Sequence, residues 1–174
     1  MTSSHLTIRI ADGREAADLE AVRILWREYG ELLLALLGPE HVCLTSFESE
    51  LNLLPGKYAA PGGALLLARM EGSPAGCVGI RTIQTASGEN VSELRRLWVT
   101  PKYRRYGIGK ELLAAAIDQA KKSCHRELYL DTVRDKMPEA VRLYRSAEFR
   151  ECDRYNKNPT PGLAFFHKTL SDDR

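Results

Sequence analysis

The residues best suited to chemistry in this chain cluster between Lys102 and Lys110. Arg104-Arg105-Tyr106-Gly107-Ile108-Gly109 stands where a strand gives way to a helix, and Lys102 and Lys110 bring the local cations to four. A helix N-terminus presents unpaired N–H groups and a partial positive charge, so it receives anions. Glycines at 107 and 109 remove side chains that would keep a phosphate away from those groups. Arginine suits a diphosphate because its planar fork donates two bonds at once. A plainer reading is that the two glycines serve a tight turn and the cations are solvated charge. The loop is neither a Walker motif, which needs Gly-Lys-Ser/Thr, nor a dinucleotide fingerprint, which needs a third glycine three residues after Gly109.

Other reactive residues are scattered. Cys43, Cys77, Cys124 and Cys152 form no CxxC pair, which argues against zinc and for small thiols in a cytosolic protein. His5, His41, His125 and His167 are isolated and read as structural or solvated. No metal site is expected.

The elements that would position the loop follow from periodicity. Leu6 to Ile10 alternates as a strand, and Ala16 to Leu37 has helical spacing ended by Gly38-Pro39. Ser46 is expected to cap a second helix over Phe47 to Leu54. Strands are expected over Ala64 to Arg69, Ala75 to Ile83 and Val91 to Val99, the first two joined by a Gly72-Ser73-Pro74 turn. A helix over Gly107 to Lys122, a strand over Glu127 to Thr132 and a helix opening at Pro138 follow. Two strands, Phe149 to Tyr155 and Leu163 to Thr169, close the chain. This order predicts one α/β domain over residues 1–174: a single mixed, mostly antiparallel sheet of six to seven strands flanked by about four helices. The helix between Val99 and Glu127 is a crossover, so the strands it joins run parallel and adjacent.

Composition limits the partners. The 174 residues carry 25 basic and 23 acidic side chains, a net charge of +2, with 44% hydrophobic residues. That balance gives no general reason for nucleic acid or membrane as partner. The longest apolar run, Leu32 to Leu37, is too short for a bilayer, and Met1 to Arg9 lacks a signal-peptide pattern. A cytoplasmic location is expected.

The stretch Glu93-Leu94-Arg95-Arg96-Leu97-Trp98-Val99-Thr100-Pro101-Lys102-Tyr103-Arg104-Arg105-Tyr106-Gly107-Ile108-Gly109-Lys110-Glu111-Leu112-Leu113 closely resembles the signature of the GNAT acetyltransferases. A second block, Leu130-Asp131-Thr132 followed by Ala140 to Ser146 and Phe149, is similar to that family's downstream motif. The order of elements from Leu6 to Leu170 agrees with the same fold.

The resemblance implies an acyl-CoA N-acyltransferase fold in which a splayed parallel strand pair holds acetyl-CoA. Backbone groups of Leu97, Trp98 and Val99 would bond the pantetheine, and those of Arg104, Arg105, Tyr106, Gly107, Ile108, Gly109 and Lys110 the pyrophosphate. Thr132 and Met137 would border the thioester, whose carbonyl a backbone N–H near Val99 would polarise. Tyr144 would be the general acid and contact the cofactor sulfur. Glu93, eleven residues before Arg104, is the candidate base, or else a strand residue orienting Arg95 or Arg96. The resemblance also implies that the first two helices, Ala16 to Leu37 and Phe47 to Leu54, form one wall of the acceptor site. Trp26, Tyr29 and Glu31, with Arg95 and Arg96 across the cleft, are therefore candidate acceptor contacts, and the polar turn Tyr155 to Gly162 is a candidate border of the pocket. The implied reaction is acetyl transfer to a primary amine of a small molecule or amino acid by direct attack in a ternary complex. The alternatives are a protein N-terminus or lysine as acceptor, or a non-catalytic acyl-CoA-binding module. A homodimer is left open. Three positions depart from the family pattern: Met137 where Asn is common, Arg105 where Gly is frequent, and Glu148 where Gly usually precedes the Phe. At Glu148 the helix is expected to end differently, because a positive φ would strain a glutamate.

Overall fold

A computed structural model describes residues 5–42 and 44–170, so Cys43 lies outside the described residues. In chain order the elements are β1 (Leu6–Ile10), α1 (Ala16–Leu37), α2 (Leu44–Asn52), β2 (Ala64–Met70), β3 (Ser73–Gln84), β4 (Asn90–Val99), α3 (Ile108–Lys122), β5 (Glu127–Val133), α4 (Pro138–Ser146), β6 (Arg150–Cys152) and β7 (Leu163–Thr169). Short 3-10 turns at Gly56–Tyr58 and Pro101–Tyr103 complete them. The strands form one sheet in the order β1-β2-β3-β4-β5-β7-β6. Every neighbouring pair is antiparallel except β4 with β5, which the α3 crossover makes parallel.

Strand periodicity sorts the side chains into two cores. In β2, Leu66 and Ala68 face the layer containing α3 and α4, with Leu112, Leu113, Ala116, Val141 and Tyr144. Leu65 and Leu67 point the other way, onto α1 and α2 through Leu25, Trp26, Phe47 and Leu51. The second core comes so close to the sheet that a Cβ on Gly79 would lie 2.7 Å from the Tyr58 ring. Glycine there is a packing requirement. Among the described residues no helix is long and apolar enough to cross a membrane.

Three local expectations are corrected. Helix α2 begins two residues before Ser46, so Ser46 is inside the helix rather than its cap. The hairpin of β2 and β3 turns on Glu71-Gly72, both at positive φ (49° and 83°), so Ser73 and Pro74 already belong to β3. Strand β6 stops at Cys152, because the chain then leaves the ladder to serve the site described below.

Helix α4 does end in the left-handed conformation, against expectation. Phe149 N–H bonds Tyr144 C=O at 3.1 Å and Glu148 N–H bonds Arg145 C=O at 3.0 Å, the two bonds of a Schellman motif. Glu148 occupies its left-handed position at φ 64°. The motif folds Phe149 back onto Tyr144, with ring centroids 5.9 Å apart.

Candidate active site

Strands β4 and β5 pair only at Ser92 with Leu128 and Glu93 with Tyr129. Beyond those residues they separate, leaving backbone groups of both strands facing a gap. A bulge in β4 contributes: Gly79 pairs with Arg95 and Cys77 with Trp98, so three steps on β4 oppose two on β3. Arg96 carries the distortion at φ 52°. Its carbonyl accepts the Trp26 indole N–H at 3.0 Å. Its guanidinium lies 4.3 Å over Phe47 and donates to Glu50 at 3.1 Å, so the bulge is held from both sides. Nothing in the sequence marks an arginine for a left-handed bulge.

At the end of β4, Trp98 donates from its indole to Glu28 at 2.9 Å and lies under the Arg104 guanidinium at 4.8 Å. Arg104 also donates from Nε to Val99 C=O at 3.2 Å. Leu97 and Val99 are half-buried against α3 and α4. The chain then makes its 3-10 turn and passes through Arg105 (φ 70°) and Gly107 (φ 76°) into α3. The first N–H to find a helical acceptor is that of Glu111, on Gly107 C=O. Among the described residues, no backbone N–H from Arg105 to Lys110 has a partner within the chain. Nothing lies within 4 Å of a Cβ built on Gly107, so glycine is used there for its φ. Ile108 is buried and anchors the turn, while Arg105, Tyr106 and Lys110 are exposed around it. Free N–H groups, a helix N-terminus and surrounding cations together fit a diphosphate, and the gap between β4 and β5 fits an amide-bearing arm.

The gap opens beside a cavity of about 480 Å³. Its wall includes Tyr29, Arg95, Arg96, Thr132 and Met137 among the sequence candidates. Thr132 Oγ1 donates to Met137 Sδ at 3.7 Å, linking the end of β5 to the start of α4. Trp26 is not on this wall: it is fully buried behind it, in the core beneath Arg96.

Tyr144 is buried among Phe149 and Phe166. Among the described residues its hydroxyl has no hydrogen-bond partner. Burial pushes the phenol up from its ordinary value, and the nearby Tyr29 and Asp131 reinforce the shift.

Glu93 is completely buried. Arg81 Nε donates to one of its oxygens at 2.5 Å and the Tyr155 hydroxyl to the other at 2.9 Å. Asp131 stands on the cavity wall instead. Its Oδ2 accepts from Asn156 at 2.7 Å and from Asn158 at 3.3 Å, while Oδ1 lies 3.7 Å from Arg95 Nη1. These contacts explain the early end of β6. Asn156 and Asn158 bend the following loop through side-chain bonds to Asn158 N–H and Thr160 N–H, and so deliver Tyr155, Asn156 and Asn158 to the site. Asp131 and Arg81 escaped the sequence reading as site residues, whereas Tyr155, Asn156 and Asn158 belong to the turn expected to border the acceptor pocket. The polar, proline-rich character of that turn, from Tyr155 to Gly162, was the signal for it.

Comparison with known proteins agrees with this geometry. Residues 21–149 match the family model described as Acetyltransferase (GNAT) family. An uncharacterized N-acetyltransferase of Schizosaccharomyces pombe is 31% identical over 155 residues, covering 88% of this chain and 90% of the relative. A ribosomal-protein-alanine N-acetyltransferase from Brucella melitensis superposes with a TM-score of 0.71 at 25% identity, covering 94% of this chain and 99% of the other. A Salmonella typhimurium structure described as a putative acetyltransferase with its cofactor acetyl-CoA superposes with a TM-score of 0.68 at 20% identity, covering 98% and 97%. The chain belongs to the GNAT acetyltransferase family, and by that membership it is an acetyl-CoA-dependent N-acetyltransferase.

Proposed function

We propose that this protein acetylates the primary amine of a small molecule by direct attack within a ternary complex. The observation that carries this is the continuity of three features. A cradle of unpaired N–H groups at α3 leads along the opened β4–β5 gap to a walled cavity of about 480 Å³. Backbone groups of Leu97, Trp98 and Val99 would hold the pantetheine, those of Arg105 to Lys110 the pyrophosphate, and Thr132 and Met137 the reactive end. Arg104 falls outside that set because its N–H is already bonded to Pro101 C=O at 3.3 Å. Acetyl-CoA supplies an activated acyl group whose thiolate leaves as the amide forms.

Tyr144 Oη holds the proton that the departing thiolate requires. A buried hydroxyl with its pKa raised and no competing acceptor keeps that proton at any ordinary pH. The acceptor amine must lose a proton, since an alkylammonium is neutral only about once in a thousand molecules at pH 7. Asp131 Oδ1 is the carboxylate oxygen on the cavity wall suited to take it. Glu93, with both oxygens engaged, acts by positioning: it fixes Arg81 and Tyr155 and places negative charge 3.8 Å from Arg95. A protein acceptor, such as the ribosomal-protein alanine named for the Brucella melitensis structure, would need an open groove. Here α1, α2 and the Asn156–Thr160 loop wall the cavity, which favours a small acceptor.

The test is incubation with acetyl-CoA and a panel of amines, following free thiol and the N-acetyl product by mass spectrometry. Amine-dependent release matched by amide formation is expected. Release with peptides alone would overturn the small-molecule reading.

A further inference from the structure

Arg95 is unusual among the arginines of the site. Arg81 is bonded to Glu93 and Arg96 to Glu50. Arg95 projects into the cavity with its side chain only 21% exposed, and among the described residues its guanidinium makes no hydrogen bond. Its nearest anions, Glu93 and Asp131, stand at 3.8 and 3.7 Å, beyond hydrogen-bond reach. Its Nε is completely buried and unpartnered. A half-satisfied buried guanidinium is costly, and a cavity that retains one is prepared for a ligand that completes it. A carboxylate is the anion whose two oxygens match the guanidinium fork.

Asp131 makes the complementary half. Asn156 and Asn158 occupy Oδ2 and leave Oδ1 without a hydrogen bond, on the same wall and 3.7 Å from Arg95. A guanidinium and a carboxylate oxygen that face each other at ion-pair distance, each without a hydrogen bond, are the mirror of a molecule bearing an ammonium and a carboxylate on one carbon. Resting on the acetyl-transfer reading above, we infer that the acceptor is a free α-amino acid, its carboxylate on Arg95 and its amine on Asp131 Oδ1. Asp131 then both orients the ammonium and receives one of its protons. The new N–C bond forms as the thioester C–S bond breaks, Tyr144 protonates the sulfur, and the second proton that the nitrogen sheds replaces the one Tyr144 gave.

This excludes peptides and simple amines as good substrates, because each lacks the adjacent carboxylate. Leaving a buried charged group unpaired costs a site several factors of ten in affinity. The experiment compares a panel of L-amino acids with their carboxamides and their decarboxylated amines, in two readouts. Turnover is followed as CoA thiol release, and binding by calorimetry with the CoA-loaded protein. At least a hundredfold preference for one or more amino acids over the matched carboxamide is expected in both. Arg95→Met should abolish that preference, with Arg95→Lys restoring part of it, and Asp131→Asn should weaken the amino acid alone. The Met replacement is close in volume but takes a positive charge away from Glu93 and Asp131, 3.8 and 3.7 Å from it, so integrity of the variant's fold is verified separately. Calorimetric binding of acetyl-CoA at the wild-type dissociation constant checks this.

Turnover without any carboxylate preference would overturn the amino-acid inference and leave acetyl transfer standing. Carboxylate-dependent binding without turnover would support the recognition site and defeat the transfer reading. Neither binding nor turnover with any member of the panel would overturn both.

Discussion

Replacing Tyr144 with phenylalanine removes one oxygen atom from a site where that oxygen bonds nothing within the described chain. Two opposite consequences follow. For the folded protein, the hydroxyl has no partner within the described chain to lose and phenylalanine keeps the same ring in the same core, so stability should be unchanged or rise by up to about 1 kcal/mol. In a domain of this size that is a melting shift between zero and roughly +4 °C. For the reaction, a general acid contributes about 10² to 10⁴ in rate. Burial has raised the phenol above its ordinary value, so it is a weaker acid than the thiol it must protonate. That places the loss near the lower end, about a hundredfold in kcat, equivalent to about 3 kcal/mol in the transition state. The assay pairs thermal denaturation with steady-state thiol release at saturating acetyl-CoA. A variant that keeps kcat within threefold would refute the acid role. One that melts several degrees lower would show that the hydroxyl has a structural partner.

Three other perturbations test separate parts of the structure. Gly107→Ala forces a side chain into φ 76°, which should cost about 1–2 kcal/mol of stability and raise the KM for acetyl-CoA about tenfold; an unchanged KM would remove the loop from cofactor binding. Glu148→Gly relieves the left-handed glutamate of the Schellman motif at the loss of an exposed contact with Lys168, and should stabilise by about 1 kcal/mol without affecting kcat. Asp18 is buried: desolvation would raise its pKa, but bonds from Arg9 and Arg69 outweigh that and hold it low. Its contribution is therefore present above the unfolded carboxylate value and lost as pH falls through the folded one. Asp18→Asn should cost about 2 kcal/mol at neutral pH and flatten the acid limb of stability below about pH 4.

Much of this architecture was legible in the residues. The apolar run from Leu65 to Ala68 and the crossover helix after Gly107 lead to the two cores and the parallel pair, because burial on both faces of a strand and chain length across a connection leave few choices. The loop proposed as the cofactor cradle was equally visible, since glycine spacing marks the backbone N–H groups left unpaired there. Of the proposed acceptor cavity, only the helical wall and the turn after Tyr155 were visible. Its floor depends on Arg96 adopting φ 52°, on β6 ending at Cys152, and on Asn156 and Asn158 reaching Asp131 from 25 and 27 residues away. Such contacts are set by tertiary packing and leave no periodic trace. Glu93 shows the same limit: the sequence indicates a carboxylate near the loop, but only the fold reveals Arg81 and Tyr155 holding both of its oxygens.

The account turns on a path from the α3 cradle to the cavity beside Tyr144. The most direct measurement is the structure of the protein crystallised with CoA. The account predicts a pyrophosphate on the N–H groups of Arg105 to Lys110, a pantetheine between β4 and β5, and a sulfur within hydrogen-bond reach of Tyr144 Oη. A CoA bound elsewhere, or a sulfur remote from Tyr144, would contradict it.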